Sequence, residues 1–344
     1  MTTWYSSPKA RDWTSPGTST DAYEFHRSLP GYAPTPLVDL AQLADELGVG
    51  RVLVKDESSR LGLPAFKVLG ASWACKRVLD RHPGAELVTA TDGNHGRAVA
   101  RMAAHFDVRA VVFVPAVMLA EAAERIAQEG ARVVRVQGDY DTAVHAAAVY
   151  ADGDPARALV QDTAWEGYAE VPAWMVEGYE TLLREIDEAT AELHAGPDLV
   201  AVPVGVGSLA AAVARHYRRP DAPHPSLLSV EPDTAACVLE SLVSGEPVTV
   251  VTGATVMAGL NCGTVSATAW PLLRAGYDAA VAVSDEEALR AVEDLGALGV
   301  SSGPSGAATL AGVRAALADT DRRRCLGLGP EAVVVLLSTE ARPR

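Results

Sequence analysis

Downstream of residue 86 the hydrophobic positions follow two periods in turn. Short apolar runs at Leu87–Thr91, Ala110–Pro115, Ala131–Gln137 and Ala158–Gln161 have the length and β-branched content of buried strands. Between them, Arg97–Ala104, Ala120–Glu129 and Tyr140–Ala151 carry apolar residues at helical spacing. Strand and helix alternating at this interval predict βαβ units and a parallel sheet. A long helix is predicted from Ala173 to about Glu192, followed by a break at His194–Pro197. The alternation then resumes with Leu199–Val204 as a strand, a turn at Gly205–Ser208 and a helix over Leu209–His216. Leu227–Val230, Ala279–Val283 and Ala332–Leu337 are further strands, and Asp285–Leu295 is a helix. Toward the N-terminus, Val38–Leu47 reads as a helix, Arg51–Lys55 as a strand, Ser58–Pro64 as a loop and Phe66–Arg81 as a helix. The first thirty or so residues are rich in Ser, Thr, Pro and Gly and read as an extended or loosely docked arm. The expected fold class is α/β with two parallel sheets flanked by helices, divided near residues 70 and 172.

Composition narrows the function. The 344 residues suit two domains or one large α/β unit, and 49% hydrophobic with 21% charged is a folding composition. The balance of 29 basic against 44 acidic residues gives −15, with no basic cluster, which argues against a nucleic-acid partner. The longest apolar run, Ala110–Ala120, is 11 residues with Pro115 inside it, too short for a membrane span. The polar start lacks the apolar segment of a secretory signal. Four cysteines without CxxC spacing argue against a structural zinc site, so no metal is expected and a soluble cytoplasmic protein is. Only four of the 29 basic residues are lysines: Lys9, Lys55, Lys67 and Lys76. In a chain that otherwise uses arginine for charge, a lysine can be present for its amine, since arginine neither forms a Schiff base nor gives up its proton.

Four segments carry candidate chemistry. Lys67 opens a helix between apolar residues, where desolvation and the helix N-terminus both disfavour an ammonium, so a lowered pKa and a reactive amine are expected. The alternative is a snorkelling surface lysine. Thr91-Asp92-Gly93-Asn94-His95-Gly96 follows a strand and opens a helix. Its backbone N–H groups suit a substrate carboxylate, Asn94 can donate to a phenolate-like oxygen, and Asp92 is a candidate acid or base, or else a helix N-cap. His95 is a candidate contact or a packed turn histidine. Gln161-Asp162-Thr163-Ala164-Trp165-Glu166-Gly167-Tyr168 sets an acid beside aromatics at a strand's C-terminal end, where open α/β sheets bind ligands. Gly205-Val206-Gly207-Ser208-Leu209-Ala210 is a strand-to-helix turn that suits a phosphate. It also fits GxGxxA, with Glu231 where a dinucleotide-binding fold places its ribose acid.

Taken together these blocks resemble the fold type II pyridoxal-phosphate (PLP) enzymes, the group of threonine and serine dehydratases and tryptophan synthase β chains. Within it they are most similar to the diaminopropionate ammonia-lyases. The resemblance runs from Lys55-Asp56-Glu57-Ser58 and Gly62–Gly70 through Thr91–Gly96, Gln161–Tyr168, Gly205–Leu209, Ala258-Gly259-Leu260 with Cys262-Gly263, and Ser305-Gly306-Ala307 to Ser338-Thr339-Glu340. It implies a larger PLP-binding domain over 1–70 and 172–344 and a smaller domain over 71–171. Carried over, Lys67, with Phe66 beside it, anchors the cofactor covalently. Gly205, Val206, Gly207, Ser208 and Leu209 hold its phosphate, and Asn94 faces its 3′ oxygen. Ser338 or Thr339 is the neutral partner of the pyridine nitrogen. Thr91, Asp92, Gly93, His95 and Asp162 contact a small amino-acid substrate. Lys67 and Asp92 serve as bases on opposite faces, and Asp92 or Asp162 holds a leaving β-amino group. The implied reaction is α,β-elimination of 2,3-diaminopropionate to pyruvate and ammonia, by a homodimer. The alternatives are elimination or β-replacement on another β-substituted amino acid, a nicotinamide-dependent dehydrogenase, and a non-catalytic PLP-binding regulator. Gly303 departs from the pattern, standing where dehydratase relatives commonly carry an acid.

Overall fold

A computed structural model describes residues 3–15, 21–91 and 93–342. In chain order the strands are β1 (Trp4–Ser6), β2 (Leu37–Asp39), β3 (Arg51–Asp56), β4 (Glu86–Ala90), β5 (Ala110–Pro115), β6 (Arg132–Val136), β7 (Arg157–Leu159), β8 (Leu199–Pro203), β9 (Ser226–Pro232), β10 (Ala279–Val283) and β11 (Val333–Ser338). The α-helices are α1 (Asp21–Ser28), α2 (Ala41–Leu47), α3 (Lys67–Arg81), α4 (Asn94–His105), α5 (Ala120–Gln128), α6 (Tyr140–Asp152), α7 (Glu170–Glu192), α8 (Ser208–Tyr217), α9 (Cys237–Ser244), α10 (Trp270–Gly276), α11 (Asp285–Ala297), α12 (Pro304–Leu317) and α13 (Thr320–Leu326). The chain divides into two compact units. One comprises residues 1–20, 33–60 and 182–344, the other residues 21–32 and 61–181, so the second division falls inside α7.

The first unit holds a seven-stranded sheet in the order β1-β10-β9-β8-β11-β3-β2. Its five inner strands are parallel, and both edge strands run antiparallel. Every residue of β8, β9 and β11 is buried, as befits strands covered on both faces. Helix α12 packs into this core through small residues; a Cβ on Gly312 would lie 2.5 Å from Val230 Cγ2. The second unit holds a four-stranded parallel sheet, β6-β5-β4-β7. Its edge strand β6 carries Arg132 and Arg135, charges of the kind that discourage edge-to-edge pairing.

The expected α/β class and parallel sheets are present, with three local corrections. The predicted helix Val38–Leu47 is split: Leu37–Asp39 pairs antiparallel with Leu53–Lys55, and the helix begins at Ala41. Cross-strand pairing outweighs a helical period that only the later residues obey. The N-terminal segment is not a loose arm. Trp4, Tyr5 and Ser6 pair with Val281, Ala280 and Ala279, and α1 buries Tyr23 and His26, the latter hydrogen-bonded to Thr181 Oγ1, Ser72 Oγ and Leu69 O. Finally, α9, α10, α12 and α13 are not among the predicted helices: α9, α10 and α13 are only seven or eight residues long, and α12 is buried nearly all round and lacks a polar face. Among the described residues no helix is long and apolar enough to cross a membrane.

Candidate active site

In the second unit Lys67 is the first residue of α3. Its Nζ donates to Asp162 Oδ2 at 2.8 Å, with the lysine side chain 34% exposed and the aspartate 14%. The expected lowered pKa is overturned here. Burial does work against the Lys67 ammonium, but the Asp162 charge outweighs it and holds the lysine well above its ordinary value. Reciprocally, burial pushes the Asp162 acid up, while the charges of Lys67 and His95 bring it far below the usual carboxylate range. Sequence reading singled out this amine but had no way to see a counter-ion 95 positions away.

Asp162 is held in place by its own loop. Gln161 is fully buried; its Oε1 accepts from Ala90 N at 2.9 Å and Thr89 Oγ1 at 3.1 Å. Its Nε2 donates to Tyr140 Oη at 2.9 Å and to Asp162 Oδ1 at 3.2 Å. The Tyr168 hydroxyl closes the loop, accepting from Gln161 N at 2.8 Å and donating to Leu159 O at 3.1 Å. Trp165 stacks on Tyr168 with centroids 4.4 Å apart. The positioning roles of Gln161, Tyr140 and Tyr168 escape sequence reading, because a Gln beside an Asp carries no signal of its own.

The turn after β4 is built by Thr91, whose buried Oγ1 accepts from Gly93 N at 2.9 Å and Gly96 N at 3.0 Å. That occupies the hydroxyl in the turn itself. Asn94 is half-buried, and its side chain makes no hydrogen bond among the described residues. A Cβ on Gly93 would meet nothing within 4 Å, so the backbone there borders open space. His95 is 4% exposed; its Nε2 bonds Val160 O at 2.9 Å, tying this turn to the segment that carries Asp162. Its Nδ1 is buried without a partner among the described residues. Asp92 lies outside the described residues.

In the first unit the Gly205–Leu209 turn joins β8 to α8. Gly207 is the N-cap at φ +100°, a left-handed conformation suited to glycine, and no side chain caps the helix. A Cβ on Gly205 would lie 3.0 Å from Cys262 Sγ and 3.1 Å from Gly259 O. The uncapped amides of this helix end, together with the Ser208 hydroxyl, form the donor set a phosphate requires. At the end of β11, Ser338 is fully buried and its hydroxyl donates to Ser302 Oγ at 2.8 Å; Thr339 is 4% exposed. These are neutral hydroxyls, of the kind that can pair with a ring nitrogen without transferring a proton to it. Gly303 is also explained. A Cβ there would lie 2.8 Å from Glu340 Oε1, the same oxygen that accepts from Ser305 N at 3.3 Å, so the acid at the start of α12 comes from Glu340.

The dinucleotide alternative fails at its acid. Glu231 is fully buried and accepts from Val238 N and Leu239 N, both at 2.7 Å. Burial raises its pKa to about 8, and both carboxylate oxygens are used at the start of α9. It presents nothing to a ribose. The sequence also gave no warning of a buried ionic cluster at the end of β3. There Lys55 Nζ bonds Glu185 Oε2 at 2.6 Å, and Arg60 bonds Glu57 and Glu185, all within the first unit.

A fold with parallel sheets, an uncapped glycine turn, a lysine opening a helix and buried neutral hydroxyls defines a class of cofactor enzyme. Residues 28–340 match the family described as "Pyridoxal-phosphate dependent enzyme", and the chain belongs to that family. It is 36% identical over 348 residues to the diaminopropionate ammonia-lyase of Escherichia coli strain K12, an alignment covering 93% of this chain and 87% of the relative. The crystal structure of diaminopropionate ammonia lyase from Escherichia coli in complex with an aminoacrylate-PLP azomethine reaction intermediate matches with a TM-score of 0.86 and 34% identity, covering 95% of this chain and 90% of that one. The same enzyme in complex with D-serine matches with a TM-score of 0.86 and 33% identity, at the same coverage. The architecture is therefore that of fold type II.

Proposed function

We propose that this chain is a PLP-dependent ammonia-lyase that converts 2,3-diaminopropionate and water to pyruvate and two molecules of ammonia. The observation that carries this reading is the 2.8 Å pair between Lys67 and Asp162, which puts a carboxylate able to hold an ammonium directly beside the cofactor's anchoring position. A substrate that loses a hydroxyl has no need of such a group, whereas a departing β-amino group does. When bound, PLP supplies an electron sink for the pair of electrons left on the substrate's α-carbon.

The chain's own residues do the rest. Lys67 anchors the cofactor, with Phe66 beside it, and takes the α-proton on one face. Asp92 serves the opposite face, which gives access to both enantiomers. Asp162 holds the β-amino group as an ammonium until it leaves. The amides of Gly205, Val206, Gly207, Ser208 and Leu209 bind the phosphate, and Asn94 donates to the 3′ oxygen. Ser338, or Thr339 beside it, leaves the ring nitrogen unprotonated. Thr91 shapes the turn whose backbone, from Gly93 to His95, receives the substrate carboxylate. The family resemblance further supports a homodimer working in the cytoplasm.

The test is an absorbance spectrum of the purified protein before and after addition of L- and D-2,3-diaminopropionate, with pyruvate followed in the same cuvette. The expected result is a visible band of lysine-bound cofactor, absent in Lys67→Ala, and pyruvate release with both enantiomers. A band that shifts without pyruvate would move the substrate to another β-substituted amino acid. No band after reconstitution with PLP would overturn the reading.

A further inference from the structure

Two glycines in helix interiors bring α3 and α7 into backbone contact within the second unit. A Cβ on Gly70 would lie 2.5 Å from Tyr179 Cε1, and one on Gly178 would lie 2.5 Å from Leu69 O and 2.8 Å from Gly70 Cα. In a helix interior each such glycine is less favourable than alanine. The close approach lays the Tyr179 ring against Phe66, the residue before Lys67, with centroids 4.7 Å apart. Tyr179 is 1% exposed, and its hydroxyl is buried with no hydrogen-bond partner among the described residues. An unsatisfied buried hydroxyl is destabilising, and a phenylalanine would fill the same space without that cost. Glycines and an orphan hydroxyl, each unfavourable alone, meet beside the same lysine.

Burial pushes the Tyr179 phenol up to about 12, and the charged groups acting on it are Lys67 and Asp162. Lys67 in turn is acted on by Asp162 from the loop after β7, Tyr179 from α7 and Tyr140 from the start of α6, while His95 on α4 acts on Asp162. Under the function proposed above, on which this inference rests, Asp162 has two tasks that compete. It accepts from Lys67 through Oδ2, with Gln161 already on Oδ1, and it must also hold the substrate's departing amine. When that amine takes the carboxylate, Lys67 needs another acceptor. Tyr140 already receives Gln161 Nε2, whereas the Tyr179 oxygen receives no hydrogen bond among the described residues.

We propose that Tyr179 is a positioning residue for Lys67, its phenol oxygen being the second acceptor of the lysine ammonium, used when Asp162 is occupied by a substrate amine. The test strips the full-length protein of PLP and measures the rate at which the visible band returns, as a function of pH, in wild type, Y179F, D162N, D162N/Y179F and K67A. Uptake needs the neutral amine, so its pH profile reports how tightly Lys67 keeps its proton. In the D162N background, Y179F is expected to raise the rate about tenfold at a pH below the midpoint, one pH unit of lost ammonium stabilisation. With Asp162 present, Y179F changes it less than about twofold, because the carboxylate dominates. Y179F should melt no lower than wild type, since it deletes an unpaired group. Superimposable profiles for D162N and D162N/Y179F, or a lower melting temperature for Y179F, would overturn the proposal. If K67A regains the wild-type band, the role given to Lys67 fails first and this inference falls with it.

Discussion

Lys55 and Lys67 each hold a carboxylate within 3 Å, yet the two regions serve opposite ends. Lys55 is 1% exposed at 2.6 Å from Glu185, in a cluster where Arg60 also bonds Glu185 and Glu57. Thr35 completes it, accepting from Lys55 Nζ through its carbonyl and donating its hydroxyl to Glu57. Burial lowers the Lys55 pKa against the pull of Glu185 and Glu57, while Glu185 is held at about 2 by Arg60 and Lys55 despite the burial that raises it. Lys67 is a third exposed and has one strong partner. Burial alone therefore does not mark a reactive lysine. Redundant partners hold Lys55 in the fold, whereas Lys67 has one carboxylate partner among the described residues, which under the proposed function can give way to a substrate amine.

The sharpest way to break this comparison is to remove each amine in turn. Lys67→Ala is expected to lower pyruvate formation by about a thousandfold, within the range for deleting a catalytic base. Its urea midpoint should move little, because a partly exposed pair contributes about 0–1 kcal/mol. Lys55→Ala should do the reverse, costing about 3–5 kcal/mol in urea unfolding, because it opens a buried cavity and breaks the hydrogen bonds to Glu185 and Thr35 O inside a buried ionic cluster. If Lys67→Ala unfolds the protein while Lys55→Ala leaves it stable, the distinction is wrong.

Replacing the partner sharpens it. Asp162→Asn should reduce turnover of 2,3-diaminopropionate by about a hundredfold, again on the scale of acid–base catalysis. Steady-state kinetics with both enantiomers would show whether the loss falls equally on each, as a group serving the leaving amine rather than the α-proton requires.

The smallest effect is alkaline. The Lys67 pKa is raised by folding, so its contribution to stability is complete below the unfolded value of about 10.4 and is lost as pH climbs beyond it. The Lys55 pKa is lowered, so folding gains stability as pH rises toward about 10.4, where the unfolded chain still binds the proton. Urea unfolding of the cofactor-free protein between pH 8 and 11 should show the first trend vanish in Lys67→Met while the second persists. Equal slopes in both chains would remove the electrostatic distinction between the two lysines.

The parts of the molecule that were legible share one trait: their signal is local. The strands β5 and β10 are unbroken apolar runs and β11 is one as far as Leu337, α3 begins one residue after its expected start at Phe66, and the Gly205–Leu209 turn announces itself by glycines between a strand and a helix. β1 and β2 were not legible, since three-residue edge strands exist only through their neighbours' hydrogen bonds. Nor was α12, whose Ala- and Gly-rich surface follows from being surrounded.

The sequence by itself determined the α/β alternation and singled out Lys67, the glycine turn and Asp162 as candidates, because each depends on residue type and near neighbours. Tertiary structure alone decided what those groups are. It paired Lys67 with Asp162 and so raised a pKa that local reasoning lowers. It spent Glu231 on two backbone amides, closed the space beside Gly303 with Glu340, and buried the Tyr179 hydroxyl without a partner among the described residues. The physical reason is that charge and hydrogen-bond energies depend on distance and burial, and the pairs that matter here are separated by many residues along the chain.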